Sequence, residues 1–259
     1  MDELEQVRDL FGRPRLDPGA QNRVWRRLTV RRRRRRLSWL AVPLVAAALA
    51  VAFFPHESPV PPQPQVSGRS LLLAAAATAA SSPAEQGTYW HIKKLRDDTK
   101  VIELWATRDG RAWTSEKGRV KRVKGGPPFS MAGRDLTFEQ IDSLPTDKAA
   151  LTARVAEMLP PDSRGLLADA LSGLLWNKPS PPAVRAAAYR ALADLPEVRY
   201  LGESLPGKAF SYLLRDGSMR TIIIDPKTSQ VLSCTDSRPS ERKEQVLEAG
   251  WTDKGPDLG

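Results

Sequence analysis

The chain has 259 residues but only two histidines, His56 and His91, and one cysteine, Cys234. These side chains most often ligate metals or exchange protons near neutral pH. A structural zinc site takes four ligands, usually Cys or His, so these three cannot build one alone. A Ser-His-Asp arrangement would have to use His91, because His56 lies among prolines, and no nucleophile-elbow sequence accompanies it. Gly125-Gly126-Pro127-Pro128 lacks the lysine and the helix start that a phosphate-cradling loop needs. The carboxylates Glu103, Asp135, Glu139, Asp142, Asp169, Asp194 and Asp225 are scattered, and most read as caps, turns or solvated faces; Asp225-Pro226 reads as the first half of a turn. The residue types therefore predict no enzyme, no metal and no cofactor. A lone cysteine excludes a disulfide within one chain. Cys234 follows an apolar strand-like run and reads as a small half-buried residue, the sharper alternative being a disulfide between two chains.

The other chemistry on offer is apolar. Trp90, Trp105 and Trp113 fall in three consecutive strand-like segments. They read either as core or as the wall of a groove for a lipid or other apolar ligand. The elements that must position them follow from pattern. Segments 89–94, 101–107 and 111–115 are rich in aromatic and β-branched residues, and Asp109-Gly110 is a hairpin turn signal between the last two. His91 alternates with Trp90 and Ile92, which predicts an exposed strand face for it. Helices follow: one capped at Thr146 with Leu151, Val155 and Met158 on one face, one over 162–176 with Leu167, Leu171 and Leu174 on a stripe, and one begun by a Ser180 cap and Pro181. Strands return at 198–201, 209–215, 219–225, 230–235 and 246–251, joined by short turns that imply an antiparallel meander. The alanine-rich run 71–80 predicts a buried helix that packs on the sheet.

The first 67 residues have a different character. Residues 31–36 are six arginines, and the uncharged run 37–54 follows at once. As a helix that run would be about 27 Å long, close to the hydrocarbon thickness of a bilayer. Residues 1–36 carry +7 of the chain's net charge of +10. The positive-inside rule then predicts a signal anchor with 1–36 cytoplasmic, 37–54 spanning the cell membrane and the remainder extracytoplasmic. The span accounts for the basic cluster without a nucleic-acid partner. Residues 55–67 hold five prolines and read as a semi-rigid linker; 68–259 form the outer domain. Within 1–36, Leu4, Val7, Leu10 and Phe11 recur at helical spacing and Trp25 follows with Val24 and Leu28. These are candidate contacts for a cytoplasmic partner, since so few apolar groups cannot build a core.

Several segments together resemble a family of uncharacterised single-span bacterial membrane proteins commonly encoded beside extracytoplasmic-function sigma factors. They are the Asp2-Glu3-Leu4 opening, the arginine-flanked run, Leu144-Pro145-Thr146-Asp147, Pro182-Ala183-Val184-Arg185-Ala186-Ala187-Ala188-Tyr189-Arg190-Ala191-Leu192, Ile223-Ile224-Asp225-Pro226-Lys227-Thr228 and Ala249-Gly250-Trp251-Thr252-Asp253. The resemblance implies transmembrane regulation of a sigma factor. Zinc-type anti-sigma domains carry a His and two Cys near the N-terminus, and residues 1–36 have neither. The expected fold is α+β: a short helical stub, one transmembrane helix and a curved antiparallel sheet with a helical insertion, in the manner of a half-barrel. The expected function is binding or sensing by the outer domain, with a sigma factor as cytoplasmic partner; the alternative is a membrane-tethered carrier for a lipid or other apolar ligand.

Overall fold

Eleven strands and five helices make up the computed structural model of the chain, which describes residues 67–131, 133–160, 163, 166–237 and 242–258. Helix α1 (Gly68–Ser81) comes first. Six strands follow: β1 (Tyr89–Arg96), β2 (Lys100–Ala106), β3 (Ala112–Glu116), β4 (Arg119–Arg122), β5 (Ser130–Met131) and β6 (Arg134–Asp135). Four helices come next: α2 (Phe138–Asp142), α3 (Lys148–Met158), α4 (Leu166–Trp176) and α5 (Pro182–Asp194). The chain closes with β7 (Arg199–Ser204), β8 (Gly207–Leu213), β9 (Met219–Asp225), β10 (Gln230–Asp236) and β11 (Arg242–Thr252).

Nine strands form one sheet in the order β4-β3-β2-β1-β11-β10-β9-β8-β7, every neighbour antiparallel. The two meanders are joined edge to edge by β1 and β11, so the last strand lies in the middle of the sheet. Helices α3, α4 and α5 belong to the insertion between the meanders. Strand alternation sends one set of side chains, including Phe210, Ile222 and Ile224, into the shared core. Helix α1 packs against α5. The contact is built from small residues: Leu72, Ala75, Ala76 and Ala79 are buried on α1, and Ala187, Ala188 and Ala191 on α5. Arg69 and Lys148 both pair with Asp194, tying α1 and α3 to the end of α5. Tyr189 is fully buried and donates its hydroxyl to the Ser229 carbonyl at 2.8 Å, which removes the cost of an unmade hydrogen bond there.

The expected fold class is corrected in one respect. No helix among the described residues is long and apolar enough to cross a membrane. The longest of them, α1, has 14 residues and reaches about 21 Å, short of the roughly 30 Å of a bilayer core. What the described residues show is an α+β fold on a nine-stranded antiparallel sheet, with no transmembrane helix among them. The run 37–54, the stub 1–36 with Leu4, Val7, Leu10, Phe11 and Trp25, and the linker up to 66 lie outside the described residues.

Two local expectations also change. The cap of α3 is Asp147, which accepts from the Ala150 amide at 2.9 Å, in place of Thr146. Helix α5 is preceded by Pro181 with no side-chain cap bond and opens on Pro182, so Ser180 stands one residue too early to cap it. Consecutive prolines cause this shift, because each fits the first positions of a helix and neither supplies an amide.

Cys234 is a free, buried thiol on β10. Burial pushes it up to about 12, against the opposing pull of the Arg220 charge. Alkylation of the native protein at pH 8 is expected to run about a thousandfold slower than after unfolding, in proportion to the thiolate fraction. Equal rates would contradict the buried placement, and full labelling after unfolding without a reductant would argue against an interchain disulfide.

Candidate functional site: a basic cavity on the sheet

Register carries a run of cations onto the helix-covered face of the sheet. Residues directly paired between antiparallel strands share a face. Ile92 pairs with Leu104 and Ala249, Lys94 with Ile102 and Val246, and Arg96 with Lys100 and Glu244. Glu244 pairs with Cys234, which pairs with Ile222. Along β1 the core-side positions thus run from Trp90 and Ile92 to Lys94 and Arg96: the strand starts apolar and ends charged on the side where a core would be expected.

At the charged end lies a cavity of about 400 Å³. Its wall includes Ile92, Ile102 and Leu104 from the sheet, Phe129 from the loop before β5, and Asn177 and Lys178 from the end of α4. Four cations border it, Lys94, Arg96, Lys178 and Arg242, together with the Glu244 carboxylate. Glu103 lines it too, but its side chain lies on the opposite face, bonded to His91. On the cavity side this leaves a surplus of three positive charges.

Glu244 organises three of these cations, Arg96, Arg242 and Lys94. Arg96 reaches its Oε1 with Nε at 3.1 Å and Nη2 at 2.8 Å. Arg242 reaches the same oxygen at 3.1 and 2.6 Å. Lys94 Nζ stands 3.5 Å from Oε2, donates to Asn177 Oδ1 and sits 4.2 Å from the Trp176 ring centroid. Burial alone would raise the Glu244 carboxyl, but the three cations outweigh it and hold it at about 2. Lys94 itself is lowered by burial, with Glu244 opposing. Farther along the same face Arg220 is fully engaged, bidentate to Asp236 at 2.6 and 2.8 Å and bonded to Asp169.

Lys178 is different. It is only 4% exposed, and its ammonium makes no hydrogen bond or ion pair with any described residue. It borders both the large cavity and a neighbouring one of about 130 Å³. Gly173 of α4 makes room for it, since a Cβ there would stand 3.0 Å from Nζ. Burial, with the nearby Lys94 charge, lowers it to about 8 against the attraction of Asp169. A buried, uncompensated charge is among the costliest arrangements in a folded protein.

No protein-family model matches the chain, and no curated protein matches it. The chemistry must therefore be argued from this geometry.

The three tryptophans named from sequence do not share one face of the sheet. Trp90 lies on the helix-covered face, paired with Ala106 and Trp251. Trp105 and Trp113 pair with each other on the opposite face, because odd and even positions of a strand point apart. His91 is there too, half-buried and stacked on Trp105 at 4.9 Å, with Nε2 3.2 Å from Glu103 and Nδ1 3.7 Å from Glu248. Among the described residues no three His, Cys, Asp or Glu side chains are placed to hold a metal ion. The cavity's own residues, Lys94, Arg96, Lys178, Arg242 and Glu244, went unnamed at the sequence level. The alternation on β1 could have flagged Lys94 and Arg96 as charges on a core face; nothing in the sequence marks Lys178.

Proposed function

We propose that this domain is a binding module, not an enzyme, and that it takes a small organic anion in the basic cavity. The observation that carries this is Lys178, a buried residue whose ammonium makes no hydrogen bond or ion pair with any described residue, beside a cavity with surplus positive charge. An anionic group there would supply the missing partner through charge-assisted hydrogen bonds. The walls formed by Ile92, Ile102, Leu104 and Phe129 suit an apolar body on the same ligand. At about 400 Å³ the cavity is of the size that ligand sites usually have.

Titration calorimetry of the full chain with hexanoate and with hexanol tests the proposal. Hexanoate is expected to bind saturably and hexanol to bind at least about tenfold more weakly, since only the anion satisfies Lys178. Lys178→Met should lower hexanoate affinity by about tenfold or more. Equal affinity in the wild type and Lys178→Met, or no binding of the anion at all, would refute the assignment.

A further inference from the structure

We propose that a second, smaller cavity on the same face of the sheet is a carboxylate site. It has a volume of about 150 Å³ and lies where Trp90 of β1 and Trp251 of β11 meet residues 179–182, which lead into α5. Three donors, Trp90 Nε1, Ser180 Oγ and Arg185 Nε, are buried without a hydrogen-bond partner among the described residues, and all three residues line this cavity. Trp90 is 7% exposed and Ser180 8%. Buried donors are nearly always paired, so three unmade bonds around one space mark a place built for an acceptor.

The surroundings specify which acceptor. Arg185 spends Nη2 on the Ser229 carbonyl and hydroxyl, at 2.9 and 3.0 Å. Those bonds fix the guanidinium and leave its Nε edge free, and no described carboxylate pairs with it. Helix α5, 13 residues long, opens at the cavity wall with no capping side chain, so its positive end is not neutralised. The nearby acids do not fill the role of the ligand. Asp142 is held by Arg108 at 2.8 Å, and Glu85, on the exposed rim, accepts the Trp251 amide at 3.2 Å. A volume of about 150 Å³ equals roughly five water molecules at ~30 Å³ each. That is room for a carboxylate on a short body and not for a lipid chain.

The indole N–H resonance of Trp90 in the full chain, assigned by its loss in Trp90→Phe, reads the site directly. Added propionate is expected to move it downfield saturably, while propanol and propionamide leave it in place. Ser180→Ala and Arg185→Gln should each weaken the effect by about tenfold. The proposal is overturned if propionate produces no saturable movement, if propionamide does so equally well, or if both Ser180→Ala and Arg185→Gln respond like the wild type.

Discussion

Glu244→Ala is expected to destabilise the protein by about 3 kcal/mol. Removing one member of a buried ionic cluster leaves the others uncompensated, at a cost of about 3–5 kcal/mol. Here the lower end applies, because Arg242 and Arg96 are half exposed or nearly so and can turn to water, whereas Lys94 cannot. The pH dependence has a definite sign. Glu244 is depressed in the folded state to about 2, so the unfolded chain binds its proton first as pH falls. Its contribution, about 2 kcal/mol after allowing for the water that reaches the cluster, is complete above about pH 5 and is lost between there and pH 2. Urea denaturation as a function of pH should show this loss in the wild type and a flatter profile in Glu244→Ala. Adding Lys94→Met to Glu244→Ala should recover part of the stability, since it removes the deepest of the stranded cations; further destabilisation would contradict the cluster's assigned energetics.

Lys178→Met is expected to act in the opposite direction, raising the stability of the unliganded protein by about 3 kcal/mol at pH 7 while weakening anion binding by about tenfold or more. A lysine lowered from its ordinary value to about 8 works against folding, at about 1.4 kcal/mol for each unit of depression. Methionine keeps the length of the side chain without the charge. Between about pH 8 and 10.5 the unfolded state holds a proton that the native state has lost, so this group makes stability rise with pH across that window. The rise should vanish in Lys178→Met, and the two proteins should converge near pH 10.5. Loss of stability at pH 7 would mean that Lys178 has a partner in the folded state. Gaining stability while losing affinity is the signature of a residue kept for binding.

The sheet was largely legible from the sequence because its signals are local. The Asp109-Gly110 turn, the aromatic and β-branched runs and the short connections of the second meander each correspond to observed strands. The alanine-rich run lies within helix α1, though it meets α5 as well as the core. Strand 119–122 and the pairing of β1 with β11 were not legible. The first is short and basic, and the second joins segments about 150 residues apart that no local pattern links. The candidate site was the least legible part. Lys94 becomes a core-face cation only once its neighbours β2 and β11 are in register, and Lys178 becomes a buried ammonium only because Gly173 leaves space above it. The three tryptophans were grouped by proximity in sequence, and the two-residue period of the strands separates them. Ser180 resembles a cap because it precedes a proline; the second proline displaces the helix start and leaves its hydroxyl unbonded among the described residues.

On the proposed function, Lys178 is an ammonium that a bound anion completes. The ¹³Cε shift of Lys178 in lysine-labelled full chain, followed against pH with and without saturating hexanoate, tests it most directly. The expected result is a midpoint near 8 for the free protein and a clear rise when the anion is present, because a bound negative charge favours the protonated form. A midpoint at the ordinary lysine value in the free protein, or one that hexanoate leaves unmoved, would contradict the account.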